Sequence, residues 1–172
     1  MKKTFFIMLC ALLLCSGCAR SQTLSLYILS RDNITDSMSD SEIAAAARQN
    51  GRVALTGDDF AGVMWEEQRF QVKAQAVPSV GTTTAESGGS ALLKTDGEDV
   101  FVWMVNDRVV YVGGFVQGVG TAGSQRVPFI KDSGRTSFTI QTDDRYGEDI
   151  RFNKTLYRFF QNAGLLKSEI SE

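Results

Sequence analysis

Four acidic side chains stand close together late in the chain: Asp143, Asp144, Glu148 and Asp149. Clustered carboxylates supply the oxygen ligands that calcium takes. Their spacing is not that of an EF-hand loop, and Arg145 and Arg151 offset part of the charge. A solvated loop running into a helix cap accounts for them better, so calcium is the weaker reading and no cofactor is expected. Asp58 and Asp59 are adjacent, follow Gly57 and precede Phe60, a pattern that suits turn chemistry more than a general acid/base pair. Three aromatics, Trp65, Trp103 and Tyr111, have the size and polar tips to line a ligand groove. In a strand-rich domain such aromatics are more often core.

Much chemistry is excluded by what is missing. The chain has no histidine, so a Ser-His-Asp triad, a Cys-His pair and a His-ligated metal are all ruled out. A serine nucleophile would then need a lysine base, and no S-x-x-K spacing occurs after the leader. Gly118-Val119-Gly120-Thr121-Ala122-Gly123 matches G-x-G-x-x-G. That fingerprint holds a pyrophosphate only where a helix begins after it. The residues that follow, Ser124 to Pro128, read as extended, so the segment is a loop.

These residues must be positioned by a mixture of strands and two helices. Leu24 to Leu29 alternates apolar and polar positions, the pattern of a strand. Arg31 to Ser41 is a polar loop. Ser39 and Glu42 have capping-box spacing, which predicts an Ala-rich helix from Ser41 to about Gln49, stopped by Asn50-Gly51. Short strands are expected at Arg52–Thr56 and about Arg69–Ala76, with a single helical turn near Phe60. Residues 78–90 form a Gly-rich loop. The strongest local signal is a hairpin: Val100–Val105 and Val109–Val112 are β-prone, and Asn106-Asp107 is the two-residue turn between them. Two further strands are expected near Arg126–Ile130 and Ser137–Gln141. Asp149 is placed to cap a final helix reaching Asn162, with Phe152, Leu156, Phe159 and Phe160 on one apolar face. Gly164 suits the C′ position just past its end. The expected fold is α+β: a mostly antiparallel sheet of five to seven strands, with an early helix and a C-terminal helix packed on it.

The first residues carry an address. Lys2 and Lys3 precede an apolar run, Phe5 to Leu14, and small residues lead to Cys18. This is the order of a secretory signal, and the run is too short to span a membrane comfortably. Cys15-Ser16-Gly17-Cys18 resembles a bacterial lipobox, with Cys15 where leucine is usual. The resemblance implies cleavage before Cys18, diacylglycerol on its thiol, and more than one acyl chain for stable anchoring. Ordinary secretion with cleavage nearby is the other reading. Residues 1–17 are then the signal peptide, 18–23 a lipidated tether and 24–172 one domain. Cys10 and Cys15 would leave with the signal, so no disulfide framework is open to the domain. Loss of Lys2 and Lys3 takes the 18 basic residues to 16 against 20 acidic, a net of −4. The charges are scattered without a basic stripe, so nucleic acid is not an expected partner. Ala19, rather than aspartate, follows the lipid site, which in enteric-type bacteria favours the outer membrane. Either the cell membrane or the outer membrane is expected, with the domain facing away from the cytoplasm.

The second half also resembles a diffuse group of small exported bacterial proteins. The residues that carry the likeness are Leu55–Phe60 with Trp65, then Phe101–Asn106 and Tyr111–Phe115, then Asp149–Asn153 with Leu156. The resemblance implies a central sheet and a C-terminal helix, and it brings no activity. The expected function is a non-enzymatic envelope module that binds a protein, peptide or glycan. The alternative is a small carboxylate-based hydrolase of glycans, which requires two acidic side chains about 5–10 Å apart in one cleft.

Overall fold

The computed structural model describes residues 22–77, 90–95, 97–116, 128–142 and 149–169. Its elements run β1 (Leu24–Ser30), α1 (Asp40–Asn50), β2 (Arg52–Thr56), β3 (Phe60–Met64), β4 (Arg69–Val72), β5 (Asp99–Val105), β6 (Arg108–Gly114), β7 (Pro128–Asp132), β8 (Ser137–Thr142) and α2 (Lys154–Asn162). The fold is α+β, as expected. The eight strands form one sheet in the order β2-β1-β5-β6-β7-β8-β4-β3. Every pairing is antiparallel except β6 with β7, which is parallel and contains one register pair, Gly114 with Phe129. The sheet is therefore two four-stranded antiparallel blocks joined at a narrow waist.

The waist closes only because a glycine stands there. A Cβ on Gly113 would lie 2.3 Å from the Phe101 ring and 2.3 Å from the Pro128 carbonyl oxygen. Only hydrogen fits where β6 crosses close to the start of β7.

The two blocks face each other across an aromatic core. Trp103 of β5 lies 5.7 Å, centroid to centroid, from both Phe60 of β3 and Phe70 of β4. Phe70 also stacks on Phe138 of β8 at 5.2 Å. The helix α2 sends Leu156, Phe159 and Phe160 into this core, and Phe160 touches Phe60, Phe70 and Trp103. A second core lies on the opposite face of the first block. There Ile43, Ala44, Ala46 and Ala47 of α1 pack on Leu29, Val100, Val102, Met104 and Val112. The strand β5 is thus buried on both faces, which explains an unbroken apolar run rather than an alternating one.

Local signals in the sequence act as expected at several points. Asn106 and Asp107 have φ of 50° and 63°, the left-handed conformations of a type I′ hairpin turn. Ser39 and Glu42 form the reciprocal capping box: the Ser39 amide donates to the Glu42 carboxylate at 2.7 Å, and the Glu42 amide donates to the Ser39 hydroxyl at 3.4 Å. The Ser39 hydroxyl also donates to the Glu42 carboxylate at 2.7 Å, and that bond, then the one from the Ser39 amide, hold the Glu42 carboxyl below its ordinary pKa. Gly164 has φ of 67° after α2.

Other expectations need correction. The sheet has eight strands, not five to seven, because Phe60–Met64 is a strand and the helical turn lies before it at Gly57–Asp59. The strand β4 ends at Val72, and Ala74–Ala76 is a single 3-10 turn. Gly51 stops α1 in extended backbone, not in a left-handed cap; a Cβ there would meet the Ala47 carbonyl oxygen at 2.5 Å. Asp149 caps a short 3-10 turn, Ile150–Phe152, and α2 begins only at Lys154 with Asn153 as its cap. The Asn153 side-chain oxygen accepts from the amides of Thr155 and Leu156, at 2.8 and 3.3 Å. That cap breaks the helical spacing, so Phe152 leaves the apolar face and is 42% exposed.

Candidate binding groove

One side of β6 is paired with β5 along its length, apart from a bulge at Val110. On its other side, among the described residues, Gly114 alone is paired. From Arg108 to Val112 that edge faces a groove. The wall on the α1 side is made by Thr35, Asp36 and Met38 of the preceding loop and by Asp40 and Ile43 of the helix. The opposite wall is Asp149, Ile150, Phe152 and Asn153. The cavity between them is about 480 Å³. It continues past Asn153 and Thr155 toward the hairpin turn as a second hollow of about 450 Å³ that shares Val109 and Val110.

The walls stand where local chemistry fixes them. The capping box sets the first turn of α1. The other wall is fixed by Arg151. Its guanidinium donates to both Asp149 carboxylate oxygens, at 3.0 and 2.7 Å, and to the Ile140 carbonyl of β8 at 3.1 Å. This two-pronged geometry is the strong form of an arginine–carboxylate pair. Arg151 also sits 5.5 Å from the Phe152 ring centre. The segment is thereby tied to the second block, across the gap that the waist leaves.

Tyr111 is the unusual group. It is 4% exposed, it lines the groove, and its hydroxyl has no hydrogen-bond partner. A buried hydroxyl without a partner is costly, on the order of 1–3 kcal/mol. Burial pushes its pKa far above the ordinary tyrosine range; nearby Arg151 opposes the rise and Asp149 adds to it. The group is a neutral hydroxyl at any working pH, able to donate and to accept.

The three aromatics singled out in the sequence do not share one place. Trp103 is a core side chain with no exposed surface, so it offers a ligand nothing directly. Trp65 is half-buried and packs edge-on against Phe152 at 6.1 Å and Tyr157 at 5.2 Å. Tyr111 alone of the three lines the groove.

The acidic residues also separate. Asp59 turns back to accept from the Thr56 amide and hydroxyl at 2.7 and 2.8 Å, while the Asp58 carbonyl accepts from Lys73. Asp107 sits on the hairpin turn with its side chain 82% exposed, near Arg48. Asp149 lines the groove and is bound by Arg151. Asp143, Asp144 and Glu148 of the calcium candidate lie outside the described residues, as do Cys18 and the 118–123 glycine motif. Among the described residues no group of three metal-ligating side chains gathers, and no helix is long and apolar enough to cross a membrane.

The groove residues Asp36 and Met38 carry no motif, and sequence inspection passes over them; Arg151 and Asn153 stand in the Asp149–Asn153 stretch, where nothing in the sequence gives them a groove role. The only local signal is the contrast between Gly113-Gly114, where β6 can be approached, and the bulky Val109–Val112 run before it. No protein-family model, no curated protein and no solved structure matches the chain.

Proposed function

We propose that this protein is a cell-envelope lipoprotein, anchored through lipid on Cys18, that binds a partner without catalysis. The observation that carries the binding role is the walled groove along β6, with a backbone edge that no described residue pairs below Gly114. The groove's described lining holds no nucleophile–base pair, since cysteine, lysine and histidine are all missing from it. The anchor rests on the order of charges, apolar run and small residues before Cys18.

A hydrolytic role is the weaker reading. Three carboxylates, Asp36, Asp40 and Asp149, do line the groove. A glycan-cleaving pair needs one carboxyl free to hand a proton to the leaving group. Asp36 lies 3.3 Å from Arg31 and Asp149 lies 2.7 Å from Arg151, so two of the three are already engaged by cations.

The test is the intact mass of membrane-extracted protein beside a Cys18→Ala variant. The wild type is expected to begin at Cys18 with added acyl mass, and the variant to remain unprocessed. A soluble, unacylated wild type would overturn the anchor and favour a diffusible role.

A further inference from the structure

We infer that the free edge of β6 is a strand-addition site for an extended peptide segment of a partner protein. The inference rests on the binding role proposed above and names its ligand class. An edge strand presents a row of amide and carbonyl groups that another strand can complete. The row from Arg108 to Val112 is about 16 Å long at the usual strand rise. That is room for a peptide of strand length.

The chain meets the same need elsewhere with its own backbone. The outer edge of β3 is covered by the residues after α2: the Val63 amide donates to the Leu165 carbonyl at 2.8 Å, and the Lys167 amide donates to the Val63 carbonyl at 2.9 Å. Val63 and Leu166 form a parallel bridge there. No described segment does this for β6 below Gly114.

The two walls give an added strand two different faces. Its side chains would alternate between them. On the α1 side the groove offers the apolar Met38, Ile43, Val109 and Val112 beside the polar Thr35, Asp36 and Asp40. On the other side it offers Ile150, Phe152 and Asn153, with Asp149 held by Arg151. Both walls mix apolar and polar groups, so a peptide carrying both kinds of side chain fits them. A glycan would need open aromatic faces to stack on. The nearest aromatics, Trp65, Phe152 and Tyr157, meet one another edge to face, which favours the peptide.

The probe is a library of random linear peptides, selected against the full membrane-extracted chain, with cell-wall oligosaccharides tested in parallel. The best peptide is then examined by amide hydrogen exchange and by N-methylation of each of its residues in turn. Strand addition predicts slowed exchange at 108–112. It also predicts that methylation weakens binding about tenfold at alternate positions and little between them. A peptide that protects 108–112 but tolerates every methyl group overturns the strand geometry. A peptide that protects only the region of Trp65, Phe152 and Tyr157 overturns the site. Binding of oligosaccharides with no peptide selected overturns the peptide class and leaves the binding role standing. Failure of both probes counts against the inference and the binding role together.

Discussion

The edges of β3 and β6 present the same backbone chemistry and are treated differently. The chain folds its own residues 165–167 over β3, where two backbone hydrogen bonds close the row. It raises walls beside β6 instead and, among the described residues, leaves the row unpaired below Gly114. Both edges belong to the same sheet and both lie next to the α2 region. β3 ends the sheet whereas β6 stands at its waist, and the flanking chain meets the two edges differently: it seals one and frames the other.

Four changes would sharpen or break that contrast. The largest effect is expected from Phe160→Ala, which leaves both edges in place and removes the ring that touches Phe60, Phe70 and Trp103. A loss of about 3–5 kcal/mol in denaturant unfolding is expected for a ring deleted from such a core. A much smaller loss would mean the two blocks are not held by this core. Next comes a chain ended after Gly164, which uncovers β3. It gives up three backbone hydrogen bonds, two with Val63 and one to the Phe160 carbonyl, and two half-buried leucines, roughly 2–4 kcal/mol. The freed edge should also promote association between copies, read by sedimentation. A monomer of unchanged stability would show that the 165–167 cover is ornamental.

Gly113→Ala is expected to cost about 1–3 kcal/mol by forcing the waist apart. Thermal unfolding with unchanged midpoint would contradict the close approach of β6 to Pro128. The smallest effect belongs to the capping box beneath the groove wall. Ser39→Ala should cost about 1 kcal/mol. Because Glu42 has a depressed pKa in the fold, its contribution is present above the unfolded carboxylate pKa and is lost as pH falls through the folded one. Glu42→Gln should flatten that acid-side dependence. An acid limb of the same slope in both proteins would mean the cap does not titrate.

Features set by neighbours in sequence were legible before any coordinates. The Asn106-Asp107 turn, the Ser39–Glu42 box and the Gly164 stop each need only a few adjacent residues, and each stands where expected. The α2 boundary was misread because two good caps, Asp149 and Asn153, lie four residues apart, and periodicity alone does not decide between them. Phe152 fits the helical spacing yet sits outside the helix. Trp65 and Trp103 are alike as residues, while their burial depends on which strands come to face each other. The groove was legible only in two of its lining residues, Tyr111 and Asp149, and not as a groove. It exists because β6 and β7 share a single register pair, a property of contacts between distant segments that no local pattern records.

The turn that closes the β5–β6 hairpin has one more role to play. Its Asn106 amide donates to the Thr23 carbonyl at 2.9 Å, and its side-chain oxygen accepts from the Thr23 amide at 3.0 Å. The start of the domain is thus clamped to the hairpin tip. Were Cys18 lipidated as proposed, five residues of fully extended chain would allow a leash of at most about 18 Å. So short a leash would restrict how the body tumbles over the bilayer. The hairpin end would stay low, and the trough along β6 would rise from it toward the space beyond the lipid headgroups, where a passing polypeptide could reach its upper end.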